Sequence, residues 1–168
     1  MAVDMNGFEH GVTWEEFQRV AERPGGAAED ALVRAGKNVD YDFAGGGGNW
    51  RVTAVRARIA VNQADSWVVQ EKQTDRLLEH EQGHFDITAL GMREEANRAD
   101  TLVGTSRNDL RSQYEEIREE INLSISQANQ RYDTRTDHGS NEAAQRRWVA
   151  SIRAAKRDAN RTIDALPD

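Results

Sequence analysis

The chain has two prolines in 168 residues, Pro24 and Pro167, so from Thr74 onward nearly its whole second half lacks the residue that most strongly breaks helices. Apolar residues there recur at helical spacing: Leu77, Leu78, Ile87 and Leu90, then Leu102 and Val103 ahead of Gly104. This predicts a long helix from about Thr74 to Leu102. A second helix runs through Leu110, Tyr114, Ile117, Ile121, Ile125 and Ala128, with Glu115, Glu116, Glu119 and Glu120 left for its wet face. The same stripe would also suit a coiled coil that binds a separate partner. The polar stretch YDTRTDHGSN, Tyr132 to Asn141, breaks the pattern, and a last helix carries Trp148, Ile152 and Ala155 into a charged tail.

The first half has a different period. Val39, Tyr41 and Phe43 alternate with polar residues up to Gly45-Gly46-Gly47-Gly48, after which Val55, Ala57, Ile59 and Val61 fall on one face. Two strands joined by a glycine loop follow from this, with Ser66-Trp67-Val68-Val69 as a third. Thr13 and Glu16 form a capping-box pattern ahead of Phe17, which predicts a short helix closed by Pro24-Gly25-Gly26. The expected class is α+β: a small N-terminal antiparallel sheet, a long helix and a C-terminal helical pair. Residues 1–168 are read as one domain, with 1–11 and 160–168 as flexible ends.

Composition removes several functions. Acidic residues outnumber basic ones 29 to 22, and the basic ones are scattered, so nucleic acid is not an expected partner. With no cysteine, disulfides, thiol nucleophiles and thiolate metal sites are excluded, and a transition metal would have to be held by nitrogen and oxygen. The first twenty residues carry Asp4, Glu9, Glu15 and Glu16 without an apolar run, unlike a signal peptide, and no segment reads as a membrane span.

The long helix contains LLEHEQGHFDIT. His80 and His84, four residues apart, share a helix face, and Glu81 adjoins the first of them. This is the HExxH pattern of zinc metallopeptidases, in which two imidazoles bind the ion and the glutamate moves the proton of a water molecule. Gly83, between the histidines, is costly in a helix, which suggests a packing or functional reason for it. Without such a reason the segment would be an ordinary polar turn.

A catalytic zinc site takes three protein ligands. The metzincin extension is excluded, because Leu90 and Ile87 stand where that pattern needs histidine and glycine. One of Glu115, Glu116, Glu119 or Glu120 could serve, although a solvated face explains them more simply. His138, in Asp137-His138-Gly139, is the preferred third ligand, since Gly139 permits a tight turn and Asp137 could orient the ring. His10, near the N-terminus, reads as a surface histidine. Tyr132 could supply a hydroxyl to a developing oxyanion, or pack its ring beneath the loop.

LLEHEQGHFDI, and YDTRTDHG followed by Gln145 and Trp148, together resemble a bacterial family of unknown function described as predicted secreted zinc-dependent proteases. The resemblance runs from about residue 12 to 155 and takes in Thr13-Trp14-Glu15-Glu16-Phe17 and Ser66-Trp67. It implies that His80, Glu81, His84 and His138 are metal-site positions, and that such proteins are exported. The expected function is a zinc-dependent metallopeptidase acting on peptides or proteins, with Glu81 as general base. The alternatives are a non-peptidase zinc hydrolase and a non-catalytic helical interaction protein with a structural metal.

Overall fold

The computed structural model describes residues 3–168. The glycine loop closes a long antiparallel hairpin between β4 (Ala35–Gly46) and β5 (Asn49–Val61), turning at Gly47 and Gly48, whose φ angles of 60° and 83° suit residues without a Cβ. On the other side of β5 lie β1 (Asp4–Asn6), parallel, and β7 (Val103–Gly104), antiparallel, so β4 is an edge strand. A second sheet has the order β2-β6-β3, formed by β2 (Gln18–Val20), β3 (Ala31–Leu32) and β6 (Trp67–Val69).

Three helices follow: α1 (Asp75–Asp100), α2 (Arg107–Thr136) and α3 (Glu142–Arg157). Each begins at a side-chain cap, with Thr74, Ser106 and Asn141 accepting from the N–H groups of Leu77, Asp109 and Ala144. α1 is buried along most of its length, packed on β4 and β5 on one side and on α2 and α3 on the other. Val39, Val55, Ala57 and Ile59 from the hairpin meet Phe85, Ile87, Leu90 and Met92 of α1 and the α2 stripe in one core. No helix among the described residues is long and apolar enough to cross a membrane.

The α+β class, the hairpin, β6 and the three helices therefore correspond to the sequence pattern. The sheet is more elaborate than one antiparallel unit, because β1 and β2 join in parallel. The capping box of Thr13 closes only a single 3₁₀ turn, Trp14–Glu16, with the Thr13 N–H on Glu16 Oε2 at 2.9 Å. Phe17 is already extended, and Gln18–Val20 pair with Trp67–Val69, so tertiary pairing overrides the local helical signal. Of the ends expected to be flexible, residues 1 and 2 lie outside the described residues, Asp4–Asn6 form a strand, and Ile163 and Leu166 are buried beside a short 3₁₀ turn.

Candidate metal centre

α1 brings His80, Glu81 and His84 to the floor of a cavity of about 430 Å³. One wall is the backbone of residues 31–35 with Lys37; the other is α2, through Asn122, Ser126, Asn129 and Asp133. His80 Nε2 and His84 Nε2 lie 3.2 Å apart, and Asp133 Oδ1 stands 3.1 and 2.9 Å from them. His80, His84 and Asp133 are grouped so that one ligand atom of each lies within 4.8 Å of the others.

The far side of each imidazole is fixed. His80 Nδ1 donates to Gln145 Oε1 at 3.1 Å, and His84 Nδ1 donates to Asn129 Oδ1 at 2.7 Å. Gln145 Nε2 in turn donates to the Tyr132 hydroxyl at 2.7 Å, which turns its oxygen toward His80. Carboxamide oxygens take the Nδ1 hydrogens and leave both Nε2 lone pairs aimed at the carboxylate. Three acceptors facing each other at about 3 Å call for a cation. The two imidazole nitrogens and a carboxylate oxygen suit a divalent transition metal, and their spacing is close to the ligand separation of about 3.3 Å in a tetrahedral zinc shell.

Without a cation, protons must do this work. Burial lowers the His84 pKa, but the Asp133 carboxylate and the Glu81 charge outweigh it and hold the imidazole up at about 9. Burial would raise Asp133, yet His80 and His84 keep it well below the usual carboxylate range. Glu81 is raised by burial, against the pull of the two histidines and of the Val33 N–H, which donates to Glu81 Oε2 at 2.7 Å.

Gly83 has a specific neighbour. A Cβ there would lie 2.3 Å from the Tyr132 hydroxyl oxygen, and the Tyr132 ring stacks on His80 with centroids 4.6 Å apart. Tyr132 is therefore wedged under the motif. It is fully buried, does not line the cavity, and spends its hydroxyl on Gln145, so the expected donation to an oxyanion is replaced by support of His80.

His138, the expected third ligand, stands outside the converging trio. Its Nδ1 is 3.4 Å from Asp133 Oδ1, and its side chain is 41% exposed at the cavity mouth. The reason is the length of α2, which continues through Tyr132 to Thr136 and places Asp133 on its last turn facing the motif. Asp137 and His138 then adopt left-handed φ values of 49°, and Gly139 at 83° passes so close to His80 that a Cβ would lie 3.2 Å from the ring. Among the described residues no α2 glutamate joins the cluster, and two of them are paired elsewhere, Glu115 with Arg118 and Glu120 with Arg98. His10 is bound to Glu16 at 2.8 Å, away from the centre.

Asp133 is the candidate ligand that the sequence reading missed. Its signal was the continuation of the buried stripe from Ile125 and Ala128 to Tyr132 and Thr136, which makes Asn129 and Asp133 successive residues on one helix face.

The fold and its cluster define an α+β protein with a candidate metal centre on a helix bearing HExxH. The profile of the family described as "Bacterial protein of unknown function (DUF922)" matches residues 10–139, more than half of the chain, and the chain belongs to that family. The match spans His80, Glu81, His84, Asp133 and His138. Searches of curated proteins and of solved structures gave no match.

Proposed function

We propose that this chain is a zinc-dependent hydrolase of peptide bonds, with His80, His84 and Asp133 as the ligands. The observation that carries the reading is the set of three electron-pair donors converging with their hydrogens turned away onto carboxamides. Three ligands beside an open cavity suit a catalytic site, whereas structural zinc is closed by four. Zinc, when bound, supplies Lewis acidity and makes water acidic near neutral pH. Glu81 lines the same cavity, and its raised pKa suits a group that takes a proton from water and returns it to the departing amine. The Val33 N–H fixes which carboxylate oxygen of Glu81 faces the strand wall. His138, at the mouth beside Asp133, is placed to donate to negative charge developing on a bound carbonyl, the role first considered for Tyr132.

Elemental analysis of the purified protein is expected to show one zinc per chain, lost in His80→Ala, His84→Ala and Asp133→Ala but retained in Glu81→Gln and His138→Ala. Turnover of an unstructured protein substrate should fall by roughly 10²–10⁴ in Glu81→Gln. Full activity in that variant would remove the general base, and absence of zinc after loading would remove the centre. Cleavage of small esters but of no peptide would favour a non-peptidase hydrolase.

A further inference from the structure

We infer that the metal cavity runs on into an anion subsite, where Arg111 and the Tyr41 hydroxyl receive a carboxylate of the substrate at a distance from the bond held at the metal. The inference rests on the hydrolase reading for its purpose and on one polar stripe of α2 for its content. Each apolar residue of the buried stripe is followed by one that turns to the groove: Arg111 after Leu110, Arg118 after Ile117, Asn122 after Ile121, Ser126 after Ile125, Asn129 after Ala128 and Asp133 after Tyr132. All six line either the cavity that holds the histidines or a second one of about 670 Å³. The two cavities meet at Lys37 and Asn122, which line both. From Asp133 to Arg111 the stripe covers roughly 33 Å at about 1.5 Å per residue, and it contains no apolar side chain.

The second cavity has its acids matched and one cation left over. Glu95 holds the Lys37 ammonium and accepts from the Tyr114 hydroxyl, and Glu115 pairs with Arg118 at 2.7 Å. Asp40 accepts from the Asn38 amide at 2.7 Å and stands opposite Arg56, which is itself gripped by both oxygens of Asp42. The Arg111 guanidinium, the Tyr41 hydroxyl and the Asn122 carboxamide have no hydrogen-bond or ion-pair partner among the described residues. All three donate, and the only charge among them is positive.

Arg111 and Tyr41 lie at the end of the groove remote from the histidines. The Tyr41 ring packs on that of Tyr114 with centroids 4.7 Å apart, which fixes where its hydroxyl points. Burial raises the Tyr41 phenol against the pull of Arg111, so the hydroxyl keeps its hydrogen at neutral pH. A planar carboxylate meets such a set best, because the guanidinium fork takes both of its oxygens and the phenol adds a further donor. An extended peptide would cover the groove in about eight to ten residues at about 3.3 Å each. The substrate class is therefore an unstructured chain with a carboxylate, from an acidic side chain or a chain terminus, about that far from the cleaved bond.

The test titrates the ¹⁵N-labelled full chain, free of zinc, with N-acetylaspartate methylamide, with N-acetylglycine and with the neutral N-acetylasparagine methylamide. Saturable shifts of the Arg111 and Asn122 side-chain N–H signals are expected with a carboxylate and not with the neutral probe. Response to the first alone identifies an acidic side chain, and to the second alone a chain terminus. Arg111→Met should weaken binding about tenfold and Tyr41→Phe about threefold, while Arg147→Met, which removes an exposed cation of α3, should leave it unchanged. Absence of these shifts, or an equal loss in Arg147→Met, would overturn the inference. In the zinc-loaded wild type, substrates carrying the carboxylate eight to ten residues from the cleaved bond should show a KM about tenfold below that of amide counterparts with kcat unchanged, and Arg111→Met should erase the difference. Equal KM values for the two series would also overturn it. Failure of the hydrolase reading shows separately, as absence of turnover with every substrate, and the zinc-free titration then decides the subsite by itself.

Discussion

Two buried polar networks sit on α1, three turns apart, and they are resolved in opposite ways. At Glu95 every charge has its counterpart: one carboxylate oxygen holds the Lys37 ammonium, and the other lies 2.7 Å from the Tyr114 hydroxyl. At His80, Glu81 and His84 the hydrogens are drawn outward to Gln145 and Asn129, and three lone-pair donors are left confronting one another. The first network is complete as protein and serves cohesion. The second is satisfied by protons alone only with the His84 imidazole held up at about 9, and its donors are grouped so that they could instead hold a metal ion.

The contrast gives graded expectations. Lys37→Met should leave Glu95 as an uncompensated buried charge and cost about 3–5 kcal/mol, read from urea denaturation, with zinc content unchanged. Chelation should destabilise wild-type protein by about 4 kcal/mol relative to protein held at a thousandfold excess of zinc over its Kd, and leave His84→Ala indifferent. Loss of stability on chelation in both would place the metal elsewhere. Asn129→Leu or Gln145→Leu should lower zinc affinity about 10–100-fold in a competition titration, because the imidazoles lose the groups that set their tautomers. Gly83→Ala should cost about 1–3 kcal/mol, since its Cβ must displace the ring of Tyr132, and should lower zinc affinity with it; a neutral result would refute the wedge. Arg98→Ala, which removes an exposed pair with Glu120, should change stability by less than about 1 kcal/mol.

The sequence displayed the parts whose causes are local. The spacing of His80 and His84, the stripe of α2, the alternation of Val55, Ala57 and Ile59, and the glycine loop all rest on helical or strand periodicity. Pairing between distant segments was hidden: β1 and β2 are three residues each, and their partners in β5 and β6 lie some fifty residues away. Asp133 was hidden for another reason. Its neighbours Thr134, Thr136 and Asp137 are weak helix formers, and the helix runs on to Thr136 with Tyr132 buried against His80 of α1 and Trp148 of α3. Gly83 was legible as an anomaly, while its cause, a tyrosine 49 residues downstream, was not.

The turn after α2 has a consequence for protein engineering. Asp137 and His138 are held at φ values that glycine adopts freely, and the Asp133 carbonyl secures them by accepting the His138 N–H at 3.1 Å. His138→Gly should therefore relieve about 1 kcal/mol of steric cost and leave the chain no less heat-resistant than before. A laboratory lineage selected only for survival of heating would find that codon readily and lose the imidazole at the mouth of the cavity. Robustness and the proposed chemistry are opposed there within a single residue.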